Sequence, residues 1–427
     1  MKNSFAFVFS LTAAFAMVTV PVSCTDYEAL TNSPVVEGDK PYATYDIDWT
    51  QAADSCSQAF IKRFYCSENR NGYQWVFSYN AYNNGQWNGN NYWQQAHCMG
   101  AMVDYYNRIK DSNPEEAATI ENYFQKWYEK KGNNYEGNAT YRGKTGFGND
   151  FTDDTCWITI ALLQMYDATG NQTYFDTAKT LWDEDIWPRH ERNQYGWLPW
   201  KYTDLGANEC TNGPGAIIAA MMSAYAKEAG NEEAAAEYLE QAYTCFDQNL
   251  DVMASDGTLG STPLSYTQGT CMEAGRLIWH LSGDEAYLIK AVLAARGQME
   301  SSRMNEAYNG EYISRDEGPD ENNSIFHAVM FHWAARMIMD SEIDAVDPEI
   351  RHELYTYLRR HAEYYWTLGI DKDDFEDSYF GVKCYQPRED ALEADPDNEN
   401  LQHTGSQGAF ASAAQCIESM WLVKDLF

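Results

Sequence analysis

The chain has 427 residues, 44% of them hydrophobic, with 64 acidic against 30 basic side chains and a formal net charge of −34. That field repels phosphate backbones and polyanions, which argues against nucleic acid as a partner and favours a neutral substrate. The length suits a large barrel, the hydrophobic share supplies a sizeable core, and beyond the N-terminus no run of 18 apolar residues suggests a membrane span.

Residues 1–23 read as an export signal: Lys2 is the positive start and "FAFVFSLTAAFAMVTV" the apolar stretch. "PVSC" follows and ends at Cys24. It resembles the lipobox of bacterial lipoproteins, with Pro21 standing where an aliphatic residue is usual. A lipid on Cys24 would hold the mature chain at the outer membrane, facing the periplasm or the cell surface; ordinary cleavage without a lipid is the other reading. Residues 24–47 read as a polar, Pro- and Gly-bearing tether, and residues 48–427 as a single folded domain.

From about Asp48 the pattern is helical. "WQQAHCMGAMVDYYNRI" (93–109) carries apolar residues at helical spacing, "PEEAATIENYFQKWYEKK" opens with Pro114 and two acids, and "DDTCWITIALLQMYDATG" ends at Gly170. A weak repeat recurs: Gly170, Gly230 and Gly283 each precede Asn or Asp in a tight turn before a helix. Their spacing accommodates two helices per unit, so an all-α toroid of helical hairpins is predicted. Three aromatic, Gly- and Asn-bearing stretches, 80–93, 193–214 and 259–269, read as loops able to build a cleft at one end of the barrel. With 15% aromatic residues, part of the Trp and Tyr set is available to stack on sugar rings.

Nine cysteines remain after Cys24. Cys56 and Cys66 are the one closely spaced pair read as lying outside a helix, whereas Cys98, Cys156, Cys245 and Cys416 fall in helical patterns as small buried hydrophobes. There is no CxxC pair and no Cys/His cluster to suggest a structural zinc. His327 and His332 are five apart, off the spacing of a helical metal site, and read as core.

Asp153 and Asp154 stand at the mouth of an apolar helix. One reading is local: Thr152 or Asp153 caps the helix and Asp154 complements its dipole. The other is chemical. Retaining glycoside hydrolysis takes two carboxyls about 5–5.5 Å apart, one ionised to attack and one protonated to donate, and like-charge repulsion splits two neighbours in that sense.

"WQQAHCMGAMVDYY", "NDFTDDTCWITIALLQMYDATGNQTYFDTA", "NECTNGPGAIIAA" and "SYTQGTCMEAGRLIWHLSGDEAYLIKA" together resemble glycoside hydrolase family 76. The resemblance spans roughly residues 48–420 and is densest over 149–295. It implies an (α/α)6 barrel and endo-acting cleavage of α-1,6-mannan, with Asp153 as nucleophile and Asp154 as acid/base. It further implies substrate contacts from Asn149, Asn212, Tyr266 and Gln268; Trp197 and Trp200 read either as stacking on sugar rings or as buried packing, and His97 either as bordering the innermost subsite or as structural. No cofactor or metal is implied, although the acidic loops leave calcium open. The partners expected are a neutral α-mannan and, through the lipid alone, a membrane; the chain is expected to be a monomer. The last third resembles the family only loosely, and its acidic stretches read as insertions at the cleft rim. Two alternatives stand beside this reading: another sugar-active enzyme on the same barrel, and a non-catalytic glycan-binding surface lipoprotein.

Overall fold

The computed structural model describes residues 47–69, 72–78, 92–134, 141–317, 324–369, 384–386, 393 and 407–427. The signal segment, Cys24, most of the tether, most of the stretch 80–93 (its last two residues open a helix) and most of the acidic stretch over 371–390 lie outside the described residues.

Twelve α-helices are found among the described residues: α1 (Trp49–Phe64), α2 (Tyr92–Ile109), α3 (Pro114–Glu129), α4 (Thr152–Thr169), α5 (Gln172–Thr180), α6 (Glu209–Glu228), α7 (Glu232–Val252), α8 (Ser265–Ser282), α9 (Glu285–Glu300), α10 (Phe326–Met339), α11 (Ile350–Tyr364) and α12 (Gln407–Val423). The chain divides into two compact units, the larger holding Pro41–Glu306 and Tyr312–Phe427. The described part of the smaller, Ala307–Glu311, holds the end of strand β1 (Asn305–Tyr308), the two-residue turn Asn309–Gly310 and the start of strand β2 (Glu311–Ser314). Asn309 and Gly310 take φ of 50° and 77° there, as a two-residue hairpin turn requires.

Within the larger unit the even-numbered helices close a ring: α2 packs on α4, α4 on α6, α6 on α8, α8 on α10, α10 on α12, and α12 back on α2. The odd-numbered helices lie outside this ring, α1 chiefly against α12 and the others chiefly against a neighbour in sequence. Burial follows the layers. Inner α4 buries eleven residues between Thr152 and Met165, whereas outer α3 buries only Ala117, Ile120, Phe124 and Trp127, a single stripe.

The repeated Gly-Asn/Asp pair builds the inner-to-outer turns. Gly170, Gly230 and Gly283 all have φ between 70° and 74°, where a side chain would be strained. The residue after each, Asn171, Asn231 or Asp284, then caps the next outer helix by accepting a backbone N–H. These turns are short, so consecutive helices are antiparallel and all inner helices run the same way. The long connections, such as 181–208 and 301–325, therefore gather at the N-terminal ends of the inner helices.

Two readings of the sequence are corrected. The motifs "NGP" and "YTQG" are not loops: Asn212 lies in α6 and Gln268 in α8. Their glycines serve close helix packing, since a Cβ on Gly213 would meet Thr270 Oγ1 at 2.4 Å and one on Gly269 would meet Met330 Cα at 2.9 Å. Cys56 lies within α1, and it and Cys66 are buried free thiols. Cys98, Cys156, Cys245 and Cys416 are likewise buried and free, as small apolar side chains.

Candidate active site

A cavity of about 300 Å³ opens at the N-terminal ends of the inner helices. Its walls come from the first two turns of four of them: Trp93 and His97 on α2, Asp153, Asp154 and Trp157 on α4, Tyr266 on α8 and Phe326 on α10. Phe151 and Trp200 complete it.

Asp153 and Asp154 are held there by an unusual helix start. Neither Thr152 nor Asp153 is the cap, contrary to the local reading; the cap position is Phe151, in extended conformation, and its side chain makes no capping bond. The orphan N–H of Thr152 instead donates to Trp200 O over 2.8 Å, and Tyr202 N donates to Asp150 O over 2.7 Å. This short antiparallel pairing carries the Trp200 side chain to the carboxylates. Beneath it lies Arg189, 3% exposed. Its guanidinium donates to Thr152 Oγ1 (3.0 Å), to the Asn149 carbonyl (2.9 Å) and to the Asp185 carbonyl (2.7 Å). The Tyr141 and Tyr202 rings flank it at 5.2 and 5.5 Å.

The two carboxyls differ in environment. Asp153 Oδ2 accepts the Trp200 indole N–H and Oδ1 accepts the Asp154 backbone N–H, each over 3.0 Å. Burial raises the Asp153 pKa, and these donors, with Lys201 nearby, hold the rise in check. For Asp154 no hydrogen-bonding donor among the described residues offsets the cost. Burial, then the charge of Asp153, pushes its carboxyl well above the ordinary range. The positive end of α4 lies beside both and favours one negative charge. Side by side in an aromatic cavity, the pair is arranged to carry one negative charge more readily than two.

His97 makes T-shaped contacts with the rings of Trp157 and Trp93, their centres 4.8 and 5.5 Å away. Burial, then His332, lowers its pKa to about 3, so it is neutral at working pH. Tyr266 lines the cavity, and its hydroxyl contacts Cys210 Sγ at 2.6 Å.

The remaining sequence-predicted residues are placed elsewhere. Asn212 is fully buried, its amide spent on Leu198 N, Leu198 O and Asn208 O. Gln268 is fully buried as well, bonded to Leu259 N, Gly257 O and Ala294 O. Neither lines the cavity, which corrects the expectation that they meet sugar. Asn149 also turns inward, its Oδ1 accepting Phe151 N over 3.0 Å, and it steadies the helix start. Trp197 packs on Tyr195 at 4.7 Å and is not part of the cavity wall. His327 and His332 are buried, as core residues should be.

Sequence reasoning missed Trp93, Phe151, Trp157 and Phe326. Helical spacing carried the signal for two of them: Trp157 lies one turn after Asp153, and Trp93 one turn before His97. No group of three or more metal-ligating side chains occurs among the described residues, and no described helix is long and apolar enough to cross a membrane.

Comparison with known proteins agrees with the ring of helices. The α-1,6-mannanase GH76A of Salegentibacter sp. HEL1_6 superposes with a TM-score of 0.67 at 19% identity, covering 88% of this chain and 100% of that one. An inactive variant of that enzyme, with two consecutive aspartates changed to asparagine, is solved in complex with α-1,6-mannotriose. The family 76 mannosidase Bt3792 of Bacteroides thetaiotaomicron VPI-5482 matches with a TM-score of 0.61 at 17% identity, over 88% and 99% of the two chains. Dfg5 of Chaetomium thermophilum, solved with glucosamine, matches with a TM-score of 0.64 at 15% identity, over 90% and 93%. No curated protein matches the chain. The fold is an all-α (α/α)6 barrel. The profile of glycosyl hydrolase family 76 matches residues 48–415, and the chain belongs to that family.

Proposed function

We propose that the protein is a retaining, endo-acting α-1,6-mannanase. The observation that carries this is the asymmetry of the Asp153–Asp154 pair: among the described residues, two donors on Asp153 and none on Asp154. Asp153 Oδ attacks the anomeric carbon while Asp154 gives its proton to the departing glycosidic oxygen, leaving a mannosyl ester on Asp153. Asp154, now ionised, takes a proton from water as that water attacks the same carbon. The ester bond breaks, the sugar leaves with its configuration retained, and Asp154 is protonated again. Trp93, Trp157, Trp200 and Tyr266 give the cavity an aromatic lining suited to a neutral sugar, and the charge of −34 suits such a substrate. The consecutive aspartates altered in the inactive mannanase add support by analogy.

Export and lipidation at Cys24 belong to the same proposal, and would put the enzyme at the outer membrane next to polymeric mannan. Linear α-1,6-mannan incubated with the protein should give a ladder of short oligomers, with the α-anomer formed first as seen by NMR. Release of mannose alone would refute endo action. Failure to cleave, with binding retained and unchanged by Asp153→Asn, would favour a glycan-binding role.

A further inference from the structure

We infer that a small polar chamber adjoining the cleft fixes the ring of His97, so that its unprotonated nitrogen faces the substrate and accepts a sugar hydroxyl. The inference rests on the glycan-hydrolase reading above and concerns how that site recognises sugar.

The chamber is a second cavity of about 30 Å³, sharing His97 and Trp157 with the cleft. Gln164, His332 and Gln415 supply its polar lining. A water needs roughly 10–15 Å³ of such space and two to four polar partners. Both conditions are met.

Hydrogen-bond polarity can be traced upward from Asp104. Its carboxylate receives His332 Nδ1 at 2.8 Å, Gln415 Nε2 at 2.7 Å and Arg336 Nη2 at 2.9 Å. Burial acts to raise its pKa, but His332 and Arg336 more than reverse that, and the group lies well below the ordinary carboxylate range. A carboxylate only accepts, so His332 Nδ1 carries a proton. His332 Nε2 lies 3.0 Å from Gln164 Nε2; the amide nitrogen only donates, so the ring nitrogen accepts. Gln164 Oε1 is then left with its lone pairs beside Gly100, where a Cβ would come within 3.3 Å of it. Gln415 spends Nε2 on Asp104 and Ser419, which leaves its own oxygen. Neither amide oxygen has a hydrogen-bond partner among the described residues.

A water between two acceptors gives up both hydrogens and keeps its lone pairs for a donor. Donors bordering this chamber are His97 and the indole N–H groups of Trp157 and Trp333; among these His97 alone also carries a second ring nitrogen that can accept, and its other contacts among the described residues are the T-shaped ones with Trp93 and Trp157. With one N–H pointing down to the water, the other nitrogen presents a lone pair to the cleft. His97 is thereby a substrate-contacting acceptor, and Gln164, Gln415, His332 and Asp104 are positioning residues behind it.

The test is nitrogen NMR on 15N-histidine-labelled protein without substrate, with His97→Asn identifying the His97 signals. Wild type should show His97 as one neutral tautomer near pH 7. Gln164→Leu, which removes the acceptor at similar volume, should give a tautomer mixture and raise KM for mannan roughly three- to tenfold, with kcat within about twofold. An unchanged His97 tautomer in a folded Gln164→Leu variant would overturn the inference. If that variant does not fold, wild type alone decides: a doubly protonated or tautomerically mixed His97 overturns it. Absence of mannan cleavage by wild type would defeat the proposed function while leaving the NMR result to stand by itself.

Discussion

The Trp200 indole N–H donates to Asp153 Oδ2 over 3.0 Å, and the same residue's carbonyl accepts the first N–H of the helix that carries Asp153. One loop residue thus sets both the position and the charge of the proposed nucleophile. Trp200→Phe keeps most of the ring and removes the donor. A hydrogen bond to a charged group contributes about 1.5–3 kcal/mol, so kcat/KM should fall roughly 10- to 100-fold, with the fold unchanged by circular dichroism.

Activity should follow a bell in pH. Asp153 must be ionised, and burial raises its pKa, so the acid limb should lie above the ordinary carboxylate range. Asp154 must be protonated, and burial plus Asp153 raise it further, which sets the alkaline limb. In Trp200→Phe the ionised form of Asp153 loses a donor, so its pKa rises and the acid limb moves to higher pH. A profile of kcat/KM in wild type and variant checks both statements. An acid limb that stays in place would show that the indole does not bond the ionised carboxylate.

Arg189 ties the chain before α4 to the residues after α5, through Thr152, Asn149 and Asp185. Arg189→Met strands the Thr152 hydroxyl and two carbonyls in a dry place, so a loss of about 3–5 kcal/mol is expected in urea unfolding. At a permissive temperature the surviving folded fraction should show depressed kcat, because the start of the catalytic helix has lost its brace.

What was legible in the chain, and what was not, divides along physical lines. Gly170–Asn171 and Gly283–Asp284 could be read because both jobs, stopping one helix in the left-handed region and capping the next, are done by adjacent residues. Asp153 and Asp154 stood out for the same local reason. Asn212 and Gln268 misled because glycine and proline next to polar residues usually mark loops, whereas here glycines let α6, α8 and α10 approach. Arg189 carried no local signal: its partners Thr152 and Asn149 lie 37 and 40 residues away. Trp93 and Trp157 were within reach of a helical wheel, but a Trp in an apolar run reads first as core.

Close helix approach gives a contrast of its own. Gly269→Ala would push a Cβ to 2.9 Å from Met330 Cα, which is backbone and has little room to yield. A cost of about 1–3 kcal/mol is expected, as for other overpacked interiors. Gly283→Ala meets nothing within 4 Å, and its cost comes only from φ of 73°, roughly 1 kcal/mol. Comparing the two by urea unfolding separates crowding from backbone strain; equal losses would mean that α8 and α10 adjust freely.

The proposed acid should also weaken the protein it serves. A carboxyl whose folded pKa is raised contributes its stability below the unfolded value, near 3.9 for Asp, and loses it as pH rises through the folded value. Burial and Asp153 raise Asp154 in this way, so at neutral pH the folded state holds an ill-placed acid. Asp154→Asn keeps the shape and removes the ionisable group. It should abolish turnover on mannan while raising Tm at pH 7 by on the order of a few degrees, with the gain shrinking toward pH 4. Melting curves of both proteins between pH 4 and 8 measure this. A variant less stable than wild type across the whole range would mean that the Asp154 carboxylate is welcomed by its surroundings, and the assignment of Asp154 as proton donor would have to be exchanged with that of Asp153.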